Sequence, residues 1–130
     1  MDRPMDSEGQ SRDAMSLVTR TVDGHTVLEV GGEVDLVSGT RLRERFLQLI
    51  DGGSRSVVVD LGGVTFIDST GLGVLLGGLK RLRAVGGTFS LVCDKEPLLK
   101  IFRITALDQV FPIFATAEEA LSAGQAGPAA

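Results

Sequence analysis

The sequence predicts an α/β domain built on a mixed sheet of about five strands, an antiparallel N-terminal hairpin followed by parallel pairs, with about four helices. Three observations carry this expectation. Two β-rich runs at 17–22 and 26–30 flank Asp23-Gly24, a hairpin signal because Gly accepts positive φ at no steric cost. The run at 56–61, Ser-Val-Val-Val-Asp-Leu, is short, apolar and rich in β-branched residues, as a buried strand is. After each later strand, apolar residues recur at spacings of three and four, so each next strand is reached through a helix and pairs in parallel.

Taken in order, residues 1–15 are polar and offer almost nothing to bury, so a disordered N-terminal segment is expected there. The domain is expected at 16–123 and a flexible tail at 124–130. His25, the single histidine, flanks the hairpin turn and reads as an exposed turn residue. Gly31-Gly32-Glu33-Val34-Asp35-Leu36 leaves the second strand, and Ser38 is placed to cap a helix over 39–50 whose apolar face is Leu42, Phe46, Leu49 and Ile50. Asp51-Gly52-Gly53 ends that helix. The central strand at 56–61 follows, then Gly62-Gly63.

The stretch 64–85 organises the chain. Leu72, Leu75, Leu76, Leu79 and Leu82 trace a helical stripe, and Asp68-Ser69-Thr70-Gly71 puts three N-cap-type side chains at its start. A hydroxyl therefore stands at the positive end of a helix, beside a carboxylate, on a rigid strand-to-helix corner. Gly86-Gly87 closes the helix. A strand at 88–93 comes next, with Cys93 read as a buried small hydrophobe. A helix begins around Asp94 and Pro97 and packs Leu98, Ile101, Phe102 and Thr105. An edge strand is expected at 109–114, because of its proline, and a last helix after the capping box Thr116-Ala117-Glu118-Glu119.

Composition excludes several functions. A formal net charge of -4 argues against nucleic acid, which calls for a clustered basic face. Arg41, Arg43 and Arg45, and Lys80, Arg81 and Arg83, read as solvated helix faces. No apolar run approaches the ~20 residues that cross a bilayer, and one cysteine cannot form an internal disulfide, so a cytoplasmic protein is expected. Enzyme chemistry finds no footing: Ser69 has no histidine or lysine near it in sequence, and no carboxylate cluster has metal-ligand spacing. Neither a cofactor nor a metal is expected. Asp60 at a strand end evokes an aspartate-phosphorylated receiver, but the acidic pair and late lysine of such a domain are missing.

A binding module controlled at Ser69 fits better. Gly71, Gly73, Gly77 and Gly78 each cost the helix about 1 kcal/mol relative to alanine. They serve either close packing on the sheet or the approach of a partner; Gly73 and Gly77, four apart, share a stripe beside the leucines. Phosphorylating Ser69 would add about -1.5 to -2 charges, tolerable at a helix N-terminus but repulsive to an acidic partner.

Gly32-Glu33-Val34-Asp35, the strand at 57–61, Phe66-Ile67-Asp68-Ser69-Thr70-Gly71-Leu72-Gly73 and the strand at 89–93 resemble the bacterial anti-sigma factor antagonists of the STAS domain family, over roughly residues 17–121. The resemblance implies a single STAS-like domain that binds an anti-sigma factor and so frees a sigma factor. It implies that this anti-sigma factor is also a serine kinase, carrying the ATP and magnesium, which phosphorylates Ser69 and thereby falls away. A PP2C-type phosphatase would restore the binding form. The implied partner surface comprises Asp35, Ser38, Asp68, Ser69, Thr70, Gly71, Gly73 and Gly77, with Asp68 positioning the substrate hydroxyl. Stress-response, sporulation and developmental circuits use such switches. A monomer is expected when free, since the sequence leaves no large unexplained apolar surface. The alternative is a STAS scaffold or ligand-sensing module in a stress-signalling complex, where Ser69 is only a cap.

Overall fold

The computed structural model describes residues 15–126. Strands β1 (Met15–Val22) and β2 (His25–Val34) pair antiparallel, with Val22 opposite His25. The turn between them has positive φ at both Asp23 (50°) and Gly24 (83°), the primed geometry that matches the twist of the flanking strands. Then come α1 (Gly39–Asp51), β3 (Ser56–Ile67), α2 (Ser69–Ala84), β4 (Thr88–Val92), α3 (Glu96–Ile104), a 3-10 turn (Leu107–Gln109), β5 (Ile113–Phe114) and α4 (Ala117–Ala126). The sheet order is β1-β2-β3-β4-β5, and every pair after the hairpin is parallel. The expected architecture is present.

Helices α1, α2 and α3 cover one face of the sheet. Leu42, Phe46, Leu75, Leu79, Leu82 and Phe102 bury there against Leu28, Val57, Val59 and Leu91. Strand residues alternate faces, so Val27, Val58 and Val92 turn the other way and pack under Ala120 of α4. Phe46 and Phe89 meet edge to face with ring centroids 5.6 Å apart. A Cβ on Gly78 would stand 2.9 Å from the Phe46 ring and 3.0 Å from that of Phe89, so this glycine lets α2 lie close to its neighbours.

Five boundaries differ from expectation. Strands β2 and β3 continue past Val30 and Leu61, through the glycine pairs read as breaks. Register shifts between Glu29 and Gly31 and between Gly32 and Glu33 absorb the glycines as bulges, with Gly32 at φ 82°. A Cβ on Gly63 would lie 3.2 Å from the Gly31 Cα, so the glycines mark close strand approach rather than a loop. Strand β5 shrinks to two residues because Gln109 is taken by the 3-10 turn, entered through Ala106 at φ 61°. Helix α4 runs to Ala126, beyond the start expected for the tail, while Met15 already belongs to β1; residues 1–14 and 127–130 lie outside the described residues.

His25 is corrected as well. It opens β2, half-buried, and its Nδ1 shares a 2.6 Å hydrogen bond with Ser56 Oγ at the start of β3. Cys93 is buried and free, and burial pushes its thiol up.

Candidate functional site

The long β2 and β3 deliver two loops to the same end of the sheet. Val34 pairs with Ile67, and the Asp68 N–H donates to the Val34 carbonyl at 3.2 Å, so the segments starting at Asp35 and Asp68 leave side by side. Asp68 is extended (φ -109°, ψ -173°) and is the N-cap of α2: its Oδ1 accepts the Gly71 N–H at 2.9 Å. With that carboxylate turned onto the helix backbone, Ser69 is the first helical residue. It is exposed, and its hydroxyl makes no hydrogen bond among the described residues. A modifying group can reach it, and the helix end behind it favours negative charge.

Thr70 is half-buried. A Cβ placed on Gly39 would lie 3.5 Å from the Thr70 methyl, so α1 begins against Thr70 and shields it as Ser69 is not shielded. Gly71 is buried: a Cβ there would stand 2.7 Å from the Val34 carbonyl oxygen and 2.8 Å from Ile67 Cγ1. It serves the fold by letting α2 touch the ends of β2 and β3, and it offers no surface of its own. Gly73 and Gly77 are different, since a Cβ at either would meet nothing within 4 Å. They face outward, over a groove between α1 and α2.

The loop before α1 inverts the expected roles of Asp35 and Ser38. Ser38 has helical angles (φ -82°, ψ -19°) and makes no side-chain cap, because an N-cap needs extended backbone to aim its oxygen at the helix N–H groups. It is 2% exposed, and its hydroxyl accepts the Asp35 N–H at 3.0 Å while lying 2.8 Å from the Glu33 carbonyl. Asp35 satisfies the loop instead. Its Oδ1 accepts the N–H groups of Val37 and Ser38, both at 3.0 Å, and its carbonyl accepts that of Gly39 at 2.7 Å. The Ser38 N–H above all, with the Ser38 hydroxyl and the Val37 N–H, holds the Asp35 carboxyl below its ordinary value, against some desolvation.

This bracing turns Leu36 and Val37 into solvent, 72% and 79% exposed, and Phe66 near the end of β3 is 48% exposed. The β2–β3 register places Phe66 opposite Glu33, next to the loop, so three large apolar side chains gather at the end of the sheet that carries Ser69. Sequence reasoning missed them. The signal was an apolar pair, Leu36-Val37, lying outside the periodicity of α1. Their exposure also removes the ground on which a monomer was expected, an absence of unexplained apolar surface.

Among the described residues no helix is long and apolar enough to cross a membrane, and no three His, Cys, Asp or Glu side chains gather to hold a metal ion.

The STAS domain model matches residues 16–120. The chain is 35% identical over 91 residues to the anti-sigma-B factor antagonist of Bacillus subtilis, covering 70% of this chain and 83% of that protein. Its fold is similar to the crystal structure of an anti-sigma factor antagonist from Mycobacterium paratuberculosis, with a TM-score of 0.79 and 28% identity over 85% of this chain and 94% of that one. It is also similar to the Bacillus cell fate determinant SpoIIAA in its phosphorylated form, with a TM-score of 0.65 and 25% identity over 82% and 97% of the two chains.

Proposed function

The chain belongs to the STAS domain family, and from that premise we propose that it is an anti-sigma factor antagonist switched by phosphorylation of Ser69. The single observation that carries the reading is the state of Ser69: an exposed hydroxyl without a hydrogen-bond partner among the described residues, at the first position of a helix whose cap is already supplied by Asp68. A serine kept only as a cap would have its oxygen on the helix backbone, where that of Asp68 lies instead.

In the binding form, the anti-sigma factor docks over the corner, on Leu36, Val37 and Phe66 and along Gly73 and Gly77, with the Asp35–Ser38 loop and Thr70 shaping the contact. Docking withdraws that factor from its sigma factor. The same partner is a serine kinase: it holds ATP and magnesium and transfers the terminal phosphoryl group to Ser69 Oγ, the bond to ADP breaking as the Oγ–P bond forms. A dianion then stands inside the contact, where it was once a hydroxyl, and the complex separates. A PP2C-type phosphatase hydrolyses the phosphoserine and restores the binding form. The chain itself catalyses nothing in this cycle, and acts in the cytoplasm.

The test is intact-mass measurement of the chain incubated with ATP, magnesium and each candidate serine kinase of its own genome, with Ser69→Ala beside it. One added phosphate on the wild type and none on the variant is expected. No phosphate with any candidate, on a folded domain, would sink the switch and leave a scaffold or ligand-sensing role.

A further inference from the structure

We infer that the groove between α1 and α2 seats an acidic helix of the anti-sigma factor, anchored by Arg43 and Arg81. The inference rests on the proposed antagonist function and specifies the chemistry of the partner surface. The groove encloses about 240 Å³, with Gly73, Gly77 and Gly78 on its floor, Phe46 in its wall and the two arginines among its lining residues.

Packing explains Gly78, which Phe46 and Phe89 crowd, but it does not explain Gly73 and Gly77, where a methyl group would meet open space. Two glycines four apart bare about 6 Å of helix backbone. A trough between two helices, floored by backbone, has the shape that admits an incoming helix.

Charge selects which helix. Among the described residues neither Arg43 nor Arg81 has an acidic partner, although the whole chain carries a net charge of -4. Unpaired guanidinium groups beside a groove complement carboxylates, with the fork geometry that Arg brings to such pairs. Arg81 lies twelve residues along α2 from Ser69, about 18 Å at the helical rise. That separation exceeds the Debye length of about 8–10 Å at ordinary salt. The partner helix therefore lies with carboxylates over Arg43 and Arg81, on the part of α2 remote from Ser69. Attachment and release are thus set at separate places along α2.

The experiment measures, by calorimetry at low and high salt, binding of the kinase that modifies Ser69 to the wild type, Ser69→Asp, the double variant Arg43→Glu/Arg81→Glu, and Lys100→Glu as a charge control on α3. Circular dichroism of each chain, with Arg43→Gln/Arg81→Gln as the milder pair, guards against misfolding. The expected result is a roughly tenfold or greater loss for the double reversal, smaller for the glutamine pair, and a flattened salt dependence. A double reversal that binds as Lys100→Glu does would overturn the groove assignment while the Ser69 switch stood. Release of the double reversal with full binding of Ser69→Asp would support the groove and overturn the switch. A wild-type chain that binds no serine kinase of its genome would overturn both.

Discussion

Replacing Gly77 with alanine should make this protein more stable and its partner contact weaker, two effects that rarely coincide. Glycine inside a helix costs about 0.5–1 kcal/mol relative to alanine, because it loses more backbone freedom on folding. That cost is recovered only if the added methyl group meets no obstacle, and at Gly77 nothing lies within 4 Å of the new Cβ. Gly77→Ala should therefore gain most of that amount, a rise of about 4 °C in Tm for a domain of this size. Gly71→Ala is the internal contrast. Its Cβ would press to 2.7 Å on the Val34 carbonyl oxygen, backbone that cannot swing aside as a side chain can. Overpacking of this kind costs about 1–3 kcal/mol. Urea unfolding followed by circular dichroism, with the slope unchanged between variants, reads both differences. The reasoning fails if Gly77→Ala destabilises the domain, for then the glycine serves the fold and its outward face says nothing about a partner. If Gly77→Ala gains stability and also binds the anti-sigma factor more weakly, the glycine is kept at the expense of the fold.

Other substitutions separate the roles of the corner. Asp68→Ala removes the α2 cap and should cost about 1 kcal/mol, read as a lower Tm. Leu36→Ser with Val37→Ser should leave stability within about 0.5 kcal/mol, since both side chains are largely in solvent, yet weaken partner binding by roughly tenfold in calorimetry. The Asp35 carboxyl is held below its ordinary value in the folded chain, so its contribution is fully present above the unfolded value of about 3.9 and is lost as pH falls below that through the lowered folded value. Amide exchange at Val37 and Ser38, whose N–H groups it holds, should accelerate in that acidic window relative to the α2 backbone, and Asp35→Asn should abolish the difference.

The mixed sheet, the direction of its pairings and the helices were legible because their signals are local: β-branched runs, a turn that needs positive φ, leucines at three and four. Ser69 was legible too, as a hydroxyl beside a carboxylate where a strand gives way to a helix. Legibility failed where one residue type serves two geometries. Gly31, Gly32, Gly62 and Gly63 read as punctuation, yet they let β2 and β3 approach and continue, which only cross-strand register reveals. Ser38 reads as a cap in the alphabet of helix starts, but its backbone is already helical and Asp35 supplies the hydrogen bonds. Spacing sets Gly73 and Gly77 of α2 on one stripe, but it does not say which of the helix's four glycines are crowded. In space Gly71 and Gly78 are crowded and Gly73 and Gly77 open. Leu36, Val37 and Phe66 were missed because exposure of an apolar residue depends on what a loop braces, not on what its neighbours are.

The corner suits a switch because fold and contact respond to phosphate with opposite sign. For the folded chain a dianion at the first turn of α2 meets the helix dipole, worth about 0.3–1 kcal/mol in its favour, less some repulsion from Asp68. For a docked partner, one carboxylate held about 4 Å from one phosphate charge costs about 4 kcal/mol at an effective dielectric of about 20, before the desolvation of the dianion is counted. The difference exceeds the roughly 2.8 kcal/mol that separates a complex from one about a hundredfold weaker. Asp68 makes this possible by capping the helix itself: Ser69 can gain or lose charge without the helix gaining or losing its first hydrogen bond. Moving the cap one residue along, as in Asp68→Ala with Ser69→Asp, would couple the two. That pair should lie closer in stability to the wild type than Asp68→Ala alone if the relocated carboxylate takes over the cap. Equal stability of the single and double variants would show that the first turn of α2 cannot shift and that the cap belongs to position 68 alone.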